Sequence, residues 1–385
     1  MIPTLVLRSR TVRALLHASL CLAACMVGVA HAADHQKEPA IQPLAIASLA
    51  GALQDAQQKA FFAPFTAASH ITIRLNSWDG LLTTLQNRAR LGTTSSVGDL
   101  VLMENSSVLI ACQQGLFLPI DPGGIAGLSP TDHNRLTSDA VSHCGMGALR
   151  TDQVLAWDKS RIDSAPSWAE FWDVARRPGK RGLRRDPRGT LEIALLADGV
   201  APDDIYRTLA TSDGVDRAFR KLDQLKPYVV WWETPAQAVQ IIESGAVLMT
   251  SAPNSEVAAA NQVGHRDFGI QWQQSISMMS SWAIPGRPQP AGVGSPISDS
   301  QASIDRLGRV RQLLGFMNDP ARQADFVGRY PAVSVVLGIF PPDQALPDDS
   351  PATTEHLHNA LVEDDSFWLT HLDQIKGRFD AWIDN

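Results

Sequence analysis

The chain has 385 residues, 44% of them hydrophobic and 19% charged, and its formal net charge at pH 7 is −7. That length and hydrophobic content suit a globular protein with two hydrophobic cores and argue against a disordered chain. Nucleic acids and anionic lipids bind surfaces with concentrated positive charge, so an acidic chain excludes both as expected partners.

The N-terminus has the pattern of a secretory signal peptide. Three arginines within the first 13 residues are followed by an apolar run from Ala14 to Ala30, and Ala30 and Ala32 are the small residues that a signal peptidase recognises. We therefore expect residues 1–32 to be removed and the remainder to be exported to the periplasm. Cleavage removes three arginines and no acid, which changes the net charge from −7 to −10.

A lipoprotein is the alternative for this segment. Residues 22–25 (LAAC) match a bacterial lipoprotein cleavage box, whose use would leave Cys25 lipidated and the protein tethered to a membrane. The apolar run continues past Cys25 towards Ala32, which favours the soluble product.

Two of the four cysteines leave with the signal peptide, so Cys112 and Cys144 remain. In an oxidising compartment such a pair predicts one disulfide, and the alternative is two unrelated buried thiols. His356 and His358 are too few to indicate a metal site. We expect neither a metal nor another cofactor.

Strand-like and helix-like segments alternate along the chain. Alternating or continuous apolar residues predict strands at 43–50, 71–75, 100–103, 228–232 and 247–251. Helical spacing predicts helices at 54–68, 81–85, 191–197 and 215–225, and a final helix from Phe367 to Trp382. Ser167 and Glu170 form a capping box at the start of a further helix. This alternation predicts an α/β fold with a largely parallel sheet covered by helices.

Sequence motifs for catalysis are missing from the chain. It contains no Gly-x-Ser-x-Gly elbow, no His-Glu-x-x-His and no phosphate-binding loop. Gly145 and Gly147 make half a dinucleotide fingerprint, and we interpret them as a flexible crossing between lobes. We therefore expect a protein that is not an enzyme, although catalytic triads need not be local in sequence.

Five segments in order resemble one bacterial family. They are Ser167–Asp173 (SWAEFWD), Pro178–Arg181 (PGKR), Leu191–Gly199 (LEIALLADG), Val230–Glu233 (VWWE) and Ser281–Pro285 (SWAIP). Together they are similar to the spermidine/putrescine-type extracellular solute-binding proteins of ABC importers. The resemblance extends from about residue 41 to the C-terminus. It also implies a disulfide between Cys112 and Cys144, which lie at positions similar to those of a bridged pair in the family.

The resemblance implies a type II periplasmic-binding-protein fold. Such a fold has two lobes, each a mainly parallel sheet flanked by helices, and hinge crossings that let the lobes close on a ligand. Lobe 1 would comprise 41–148 and 280–385 with the C-terminal helices, and lobe 2 would comprise 149–279. The crossings would lie near 146–154 and 277–283.

The implied function is that of the periplasmic solute-binding component of an ABC importer. Such a protein is expected to be a monomer that passes a small amine or amino-acid-like ligand to a permease in the inner membrane. A ligand-sensing receptor that feeds no transporter and an α/β enzyme with a cleft are the alternatives.

Ten polar residues at predicted strand ends or helix starts form the expected site, because ligands of open α/β sheets bind beyond the carboxyl ends of strands. They are Ser48, Asn105, Ser106, Asp186, Arg188, Glu192, Glu233, Thr234, Asn254 and Ser280. The acids among them would bind an amine, and Arg188 would suit a carboxylate. Alternatives stay open for individual members: Glu192 as a surface helix residue, 184–188 as a solvated loop, and Trp231 and Trp232 as ordinary core.

Several positions depart from the polyamine-binding pattern. Leu49, Pro253 and Met278 stand where the family carries aromatic side chains, and Ser280 stands where it carries an acid. Each lost aromatic face removes ~0.5–2 kcal/mol of cation–π attraction. We therefore expect the common polyamines to bind weakly or not at all. A small amine, a γ-amino acid and a short polyamine remain possible ligands, with polyamine-type transport first on family grounds alone.

The exported protein is expected to begin at Ala33 and to carry no lipid. N-terminal sequencing and mass spectrometry of protein purified from the periplasm test this expectation. An acylated Cys25 at the N-terminus would contradict it and would locate the protein on a membrane surface.

Overall fold

The computed structural model describes residues 42–121, 123, 125, 135–263, 266–286, 301–341, 344–346 and 350–385. Residues 1–32, on which the predictions of signal cleavage and of lipidation at Cys25 rest, lie outside this part of the chain. Among the described residues, no helix is both long enough and apolar enough to cross a membrane.

Within the described residues, nine strands form one mixed sheet. They are β1 (Leu44–Leu49), β2 (Ile73–Trp78), β3 (Leu100–Glu104), β4 (Gly145–Asp158), β5 (Arg181–Arg184), β6 (Val229–Trp232), β7 (Met249–Pro253), β8 (Phe268–Ala283) and β9 (Leu361–Val362). Their spatial order is β2-β1-β3-β8-β4-β7-β5-β6, and β9 pairs with β8.

Helices connect these strands. They are α1 (Ala52–Gln57), α2 (Ala63–Ser69), α3 (Leu82–Arg90), α4 (Asn105–Gln113), α5 (Trp168–Trp172), α6 (Pro187–Ala197), α7 (Ile205–Leu209), α8 (Ser212–Leu225), α9 (Pro235–Glu243), α10 (Asn254–Val263), α11 (Gln301–Met317), α12 (Pro320–Arg329), α13 (Thr354–Asn359) and α14 (Asp365–Asp384). A π-helical turn, Gln58–Phe62, joins α1 to α2. The predicted strands, helices and final helix are all present, with boundaries shifted by a few residues.

The sheet contains two groups of parallel strands. β1 is parallel to β2 and β3 at one end, which we call lobe 1. β5 is parallel to β6 and β7 at the other end, which we call lobe 2. β4 and β8 lie between the groups and run antiparallel to each other. β8 also pairs antiparallel with β3, and β4 pairs antiparallel with β7. The expected α/β class is confirmed, and antiparallel pairing is confined to the middle of the sheet.

The two long strands run from one lobe to the other. Their pairing begins at Gly145 with Ala283 and ends at Asp158 with Phe268. The register shifts at the middle, where residue 153 pairs with 276 but residue 155 pairs with 271. Gln274 lies in β8 between the paired residues 271 and 276. Its φ is 60°, which is uncommon for a residue other than glycine. Both crossing strands are therefore irregular at the same level, between the lobes.

Apolar residues fill each lobe. In lobe 1, Leu44 and Ile46 of β1 are fully buried in a core with Trp282 of β8. In lobe 2, Leu195 of α6 lies in a core to which Phe379 of α14 contributes. Burial of such side chains contributes roughly 1.5–3 kcal/mol each, so the packing of α14 against α6 stabilises the fold.

The capping box predicted at Ser167 is confirmed. The backbone N–H of Glu170 donates to Ser167 Oγ at 3.2 Å, and the N–H of Ser167 donates to Glu170 Oε2 at 2.9 Å. The first residue of this helix, Trp168, donates its indole N–H to the carbonyl of Gln274 at 3.0 Å. The family-like segment therefore supports the irregular part of β8.

Cys112, at the end of α4, and Cys144, immediately before β4, form a disulfide with their Cα atoms 5.8 Å apart. The bond attaches the end of α4 to the start of a crossing strand. The sequence separation of 32 residues sets its expected contribution through loop closure.

Replacing both cysteines (C112S/C144S) is expected to lower the free energy of unfolding by about 3–4 kcal/mol. Urea unfolding, with and without reductant, measures this loss. Reductant should destabilise the wild type by a similar amount and leave the double variant unchanged. Two free thiols in the unreduced exported protein would show that the bond does not form.

Candidate functional site

A small cavity lies between the lobes, at the carboxyl ends of their strands. Its volume is about 80 Å³, and its charged lining residues are Asp79, Glu104, Arg184 and Glu233. A buried water needs roughly 10–15 Å³ of such space, so the cavity has room for more than a single water. Open α/β sheets bind ligands at this position.

Glu104, the last residue of β3, contacts two arginines of lobe 2. Its Oε1 lies 2.6 Å from Nη2 of Arg184, and its Oε2 lies 3.0 Å from Nη1 of Arg188. Arg184 ends β5 and is one of the residues that line the cavity. The pair joins the two lobes directly.

Arg188 and Asp186 form a buried fork at the start of α6. Asp186 accepts from Nε and Nη2 of Arg188, each at 2.9 Å. Burial opposes the charge of Asp186, but the guanidinium groups of Arg188 and Arg184 outweigh it and hold the pKa of Asp186 well below its usual range. Arg184, Asp186 and Arg188 are all buried, so the alternative of a solvated loop at 184–188 is wrong.

Arg188 also reaches lobe 1. Its Nη1 donates to the hydroxyl oxygens of Ser106 and Ser107, at 2.9 and 2.8 Å. Every nitrogen of the guanidinium therefore has a protein partner, and Arg188 does not line the cavity, whereas Arg184 does.

Glu192 is buried away from the cavity. Its Oε1 accepts from the indole N–H of Trp368 at 2.9 Å and from the hydroxyl of Tyr206 at 3.1 Å. Burial raises the pKa of Glu192 to about 7, and these hydrogen bonds only partly oppose that rise. The alternative of a surface helix residue is wrong, because this side chain is fully buried.

Two further acids, the buried Glu363 and the half-buried Asp365, lie at the start of the C-terminal helix. Burial, followed by the negative charge of Glu104, raises the pKa of Glu363 well above its ordinary value. Among the described residues, neither carboxylate oxygen of Glu363 has a hydrogen-bond partner. Asp365 accepts from the amide of Asn105 at 2.7 Å, and Asn105 in turn accepts from Ser281 at 2.7 Å. Asn105 therefore links β8, α4 and α14 and does not line the cavity.

Of the ten expected site residues, Glu233 and Ser280 line the cavity. Thr234 lies between the lining residues Glu233 and Pro235 and caps α9 through a capping box with Gln237. Ser48 is buried and donates to Gln57 at 2.5 Å. Asn254 is buried and accepts from the N–H of Asp152 at 2.9 Å.

Three charged lining residues were missed by sequence reasoning. Glu104 directly follows the predicted strand 100–103, and Arg184 precedes the expected Asp186, so strand-end logic could have found both. Asp79 follows β2, but its carboxylate accepts from the N–H of Leu81 at 3.0 Å and the hydroxyl of Thr84 at 2.7 Å. Asp79 therefore lines the cavity and also stabilises the start of α3 through these hydrogen bonds.

The apolar lining agrees with the expected departures from the polyamine pattern. Leu49, Pro253 and Met278 all line the cavity. Trp232 also lines it, whereas Trp231 packs edge-on against Phe379 at 5.9 Å between ring centroids. One tryptophan of the pair therefore faces the cavity and the other belongs to the core.

Comparison with known proteins identifies the family. The model of the bacterial extracellular solute-binding protein family matches residues 60–354, which is more than half of the chain. The chain belongs to this family. Its membership confirms that it is a solute-binding protein and not an enzyme, and it confirms the resemblance to the binding proteins of ABC importers.

Individual relatives agree with this assignment. The solute-binding protein is 33% identical over 362 residues to the gamma-aminobutyric acid-binding protein of Pseudomonas aeruginosa, covering 93% of this chain and 95% of that one. An ABC transporter substrate-binding protein from Bradyrhizobium japonicum is 25% identical, with a TM-score of 0.73 and coverage of 88% and 99%. A GABA receptor of known structure is also 25% identical, with a TM-score of 0.69 and coverage of 89% and 98%.

The raised pKa of Glu192 generates a pH-dependent prediction. Between the ordinary pKa of 4.5 and about 7, the folded state keeps a proton that the unfolded state releases. Stability from this group therefore falls as the pH rises through that window. Glu192→Gln removes the ionisation and keeps an acceptor for Trp368. The free energy of unfolding of the variant, relative to that of the wild type, should therefore be roughly 2–3 kcal/mol higher at pH 8 than at pH 5.

Urea unfolding of both proteins at the two pH values measures this change. Glu355→Gln, at an exposed position, is the matched control and should show no such change. If the free energies of unfolding of Glu192→Gln and wild type differed by the same amount at pH 5 and pH 8, the raised pKa of Glu192 would be contradicted.

Proposed function

We propose that this protein is the periplasmic solute-binding component of an ABC importer, and that it captures a small zwitterion with an amine and a carboxylate, such as γ-aminobutyrate. The observation that carries the proposal is the presence of Arg184 and the acids Glu104 and Glu233 around one small cavity. A permease in the inner membrane is the proposed partner, and the protein is proposed to act as a monomer.

Arg184 is the proposed receptor for the ligand carboxylate. A guanidinium binds carboxylates through two parallel hydrogen bonds, which fixes their orientation as well as their charge. Its contact with Glu104 uses Nη2, so the other donors of the fork remain for a ligand. This role was expected of Arg188, whose donors all contact protein groups.

Glu233 is the proposed anchor for the ammonium group. Its side chain is 54% exposed and lies 3.9 Å from Arg185, a long contact that a ligand ammonium can replace. Ser280, which also lines the cavity, offers a hydroxyl but no charge. A ligand with one ammonium and one carboxylate therefore matches the charges that are accessible in the cavity.

The apolar lining favours a short chain over a long polyamine. Leu49, Pro253 and Met278 can contact methylene groups, but they offer no aromatic face to an ammonium, so the aromatic lining is reduced to Trp232 and Tyr330. A second ammonium, as in putrescine, would lie near Arg184. The binding of γ-aminobutyrate by a relative that is 33% identical over 93% of this chain adds support.

The proposed contact set is therefore Glu104, Arg184, Glu233 and Ser280, with Asp79 at the edge. The expected residues Asn105, Ser106, Asp186, Arg188, Glu192 and Asn254 are proposed to support this set through their buried hydrogen bonds. Ser48 and Thr234 are proposed to hold the ends of β1 and the start of α9 beside it.

Isothermal titration with γ-aminobutyrate, putrescine, spermidine and butyrate in one buffer tests the proposed ligand class. We expect γ-aminobutyrate to bind at least tenfold more tightly than each of the others, because it alone satisfies both Arg184 and Glu233. Submicromolar binding of spermidine would contradict this expectation and the proposed lining.

Arg184→Gln tests the carboxylate receptor. Loss of a charged hydrogen-bond donor costs about 1.5–3 kcal/mol, so affinity for γ-aminobutyrate should fall about 10- to 100-fold. Arg176→Gln, which changes an arginine with an 88% exposed side chain in the same lobe, is the matched control and should bind as the wild type does. Unchanged affinity in Arg184→Gln would exclude this residue from the site.

A further inference from the structure

A buried arginine outside the cavity joins the two lobes. Arg188, at the start of α6 in lobe 2, donates to the side chains of Ser106 and Ser107 in the first turn of α4 in lobe 1. The same guanidinium contacts Glu104, also in lobe 1, and is held from its own lobe by the carboxylate of Asp186. The side chain is 5% exposed.

The backbone around Arg188 is shaped for this contact. Arg188 has extended angles (φ −68°, ψ 133°), and the next residue, Gly189, has a φ of 75°. A Cβ at Gly189 would lie 2.8 Å from Oε1 of Gln153 in β4. A residue other than glycine would be strained by the left-handed conformation, and its Cβ would lie too close to Gln153. The chain therefore turns sharply before α6 continues, and this turn lets Arg188 reach α4.

The contact also orients a group that does line the cavity. Glu104 has one oxygen on Arg188 and the other on Arg184. Arg188 therefore holds the carboxylate of Glu104 in the orientation that presents it to Arg184. Removal of Arg188 would leave Glu104 free to rotate into the cavity and would end the hydrogen bonds between Arg188 and α4.

We propose that Arg188 is a positioning residue that clasps lobe 2 to lobe 1 in the closed form, and that it raises ligand affinity without touching the ligand. A ligand that binds only the closed form has an apparent dissociation constant inversely proportional to the closed fraction. Weakening the clasp therefore lowers affinity through the population of closed protein. The affinity part of this proposal rests on the proposed function, whereas the part concerning closure does not.

Two variants separate the clasp from folding. Ser106→Ala with Ser107→Ala removes the two hydroxyl acceptors in lobe 1 and leaves both the contact of Arg188 with Glu104 and its fork with Asp186 intact. Arg188→Lys keeps a positive charge beside Asp186, but its single ammonium cannot reproduce the planar fork. Ser69→Ala with Ser96→Ala is the control, because both hydroxyls donate to carbonyls within lobe 1.

Small-angle X-ray scattering without added ligand tests closure. Both clasp variants should have a larger radius of gyration than the wild type, and the control should not. Calorimetry should give an affinity for γ-aminobutyrate about tenfold lower in the clasp variants, as expected for loss of hydrogen bonds to a charged group. Saturating γ-aminobutyrate should return their radius to the wild-type value.

An unchanged radius in both folded clasp variants would overturn the proposal. Reduced affinity with an unchanged radius would also overturn it, because that result would put Arg188 in contact with the ligand. A wild-type protein that binds no γ-aminobutyrate would contradict the proposed ligand alone, and the radius measured without ligand would still decide whether the clasp exists.

Discussion

The carboxylate of Glu104 lies between Arg184 and Arg188, with its two oxygens 2.6 and 3.0 Å from their respective guanidinium nitrogens. Removing one partner from a buried ion pair costs about 3–5 kcal/mol, so these three side chains are stable only together. Glu104 ends a strand of lobe 1, whereas the arginines end β5 and begin α6 of lobe 2. Correct pairing of the charges therefore requires the two lobes to meet in one relative position, and that position forms the cavity.

Polar contacts of the same kind join the lobes elsewhere. Asn254, at the start of α10, donates to the carbonyl of Pro331 at 2.9 Å, and Glu256 accepts from the hydroxyl of Tyr330 at 3.0 Å. The start of α14 contacts α4 through Asp365 and α6 through Trp368. Water can replace hydrogen bonds and ion pairs more readily than it can replace a hydrophobic core. Such contacts suit a protein whose lobes close and reopen about the irregular middle of β4 and β8.

The amino-acid sequence predicts the elements better than the site. The apolar patterns of β1 and α14 are long and regular, so both elements could be recognised directly. Glu233 could be placed at the cleft because it directly follows β6, whereas Ser280 lies inside β8, where it pairs with Glu104. The role of Arg188 could not be predicted, because it depends on the left-handed conformation of Gly189 and on serines about 80 residues earlier in the chain. Arg184, four residues before Arg188, lines the cavity instead, and only the folded chain distinguishes the two.

The central claim is that one cavity binds both ends of a small zwitterion through opposite charges. A crystal structure of the protein with γ-aminobutyrate tests this claim most directly. The account predicts the ligand carboxylate on the guanidinium of Arg184 and the ammonium within hydrogen-bond distance of Glu233 or Glu104, with Arg188 still bound to Ser106 and Ser107. A ligand bound outside this cavity, or one whose carboxylate contacts Arg188, would contradict it.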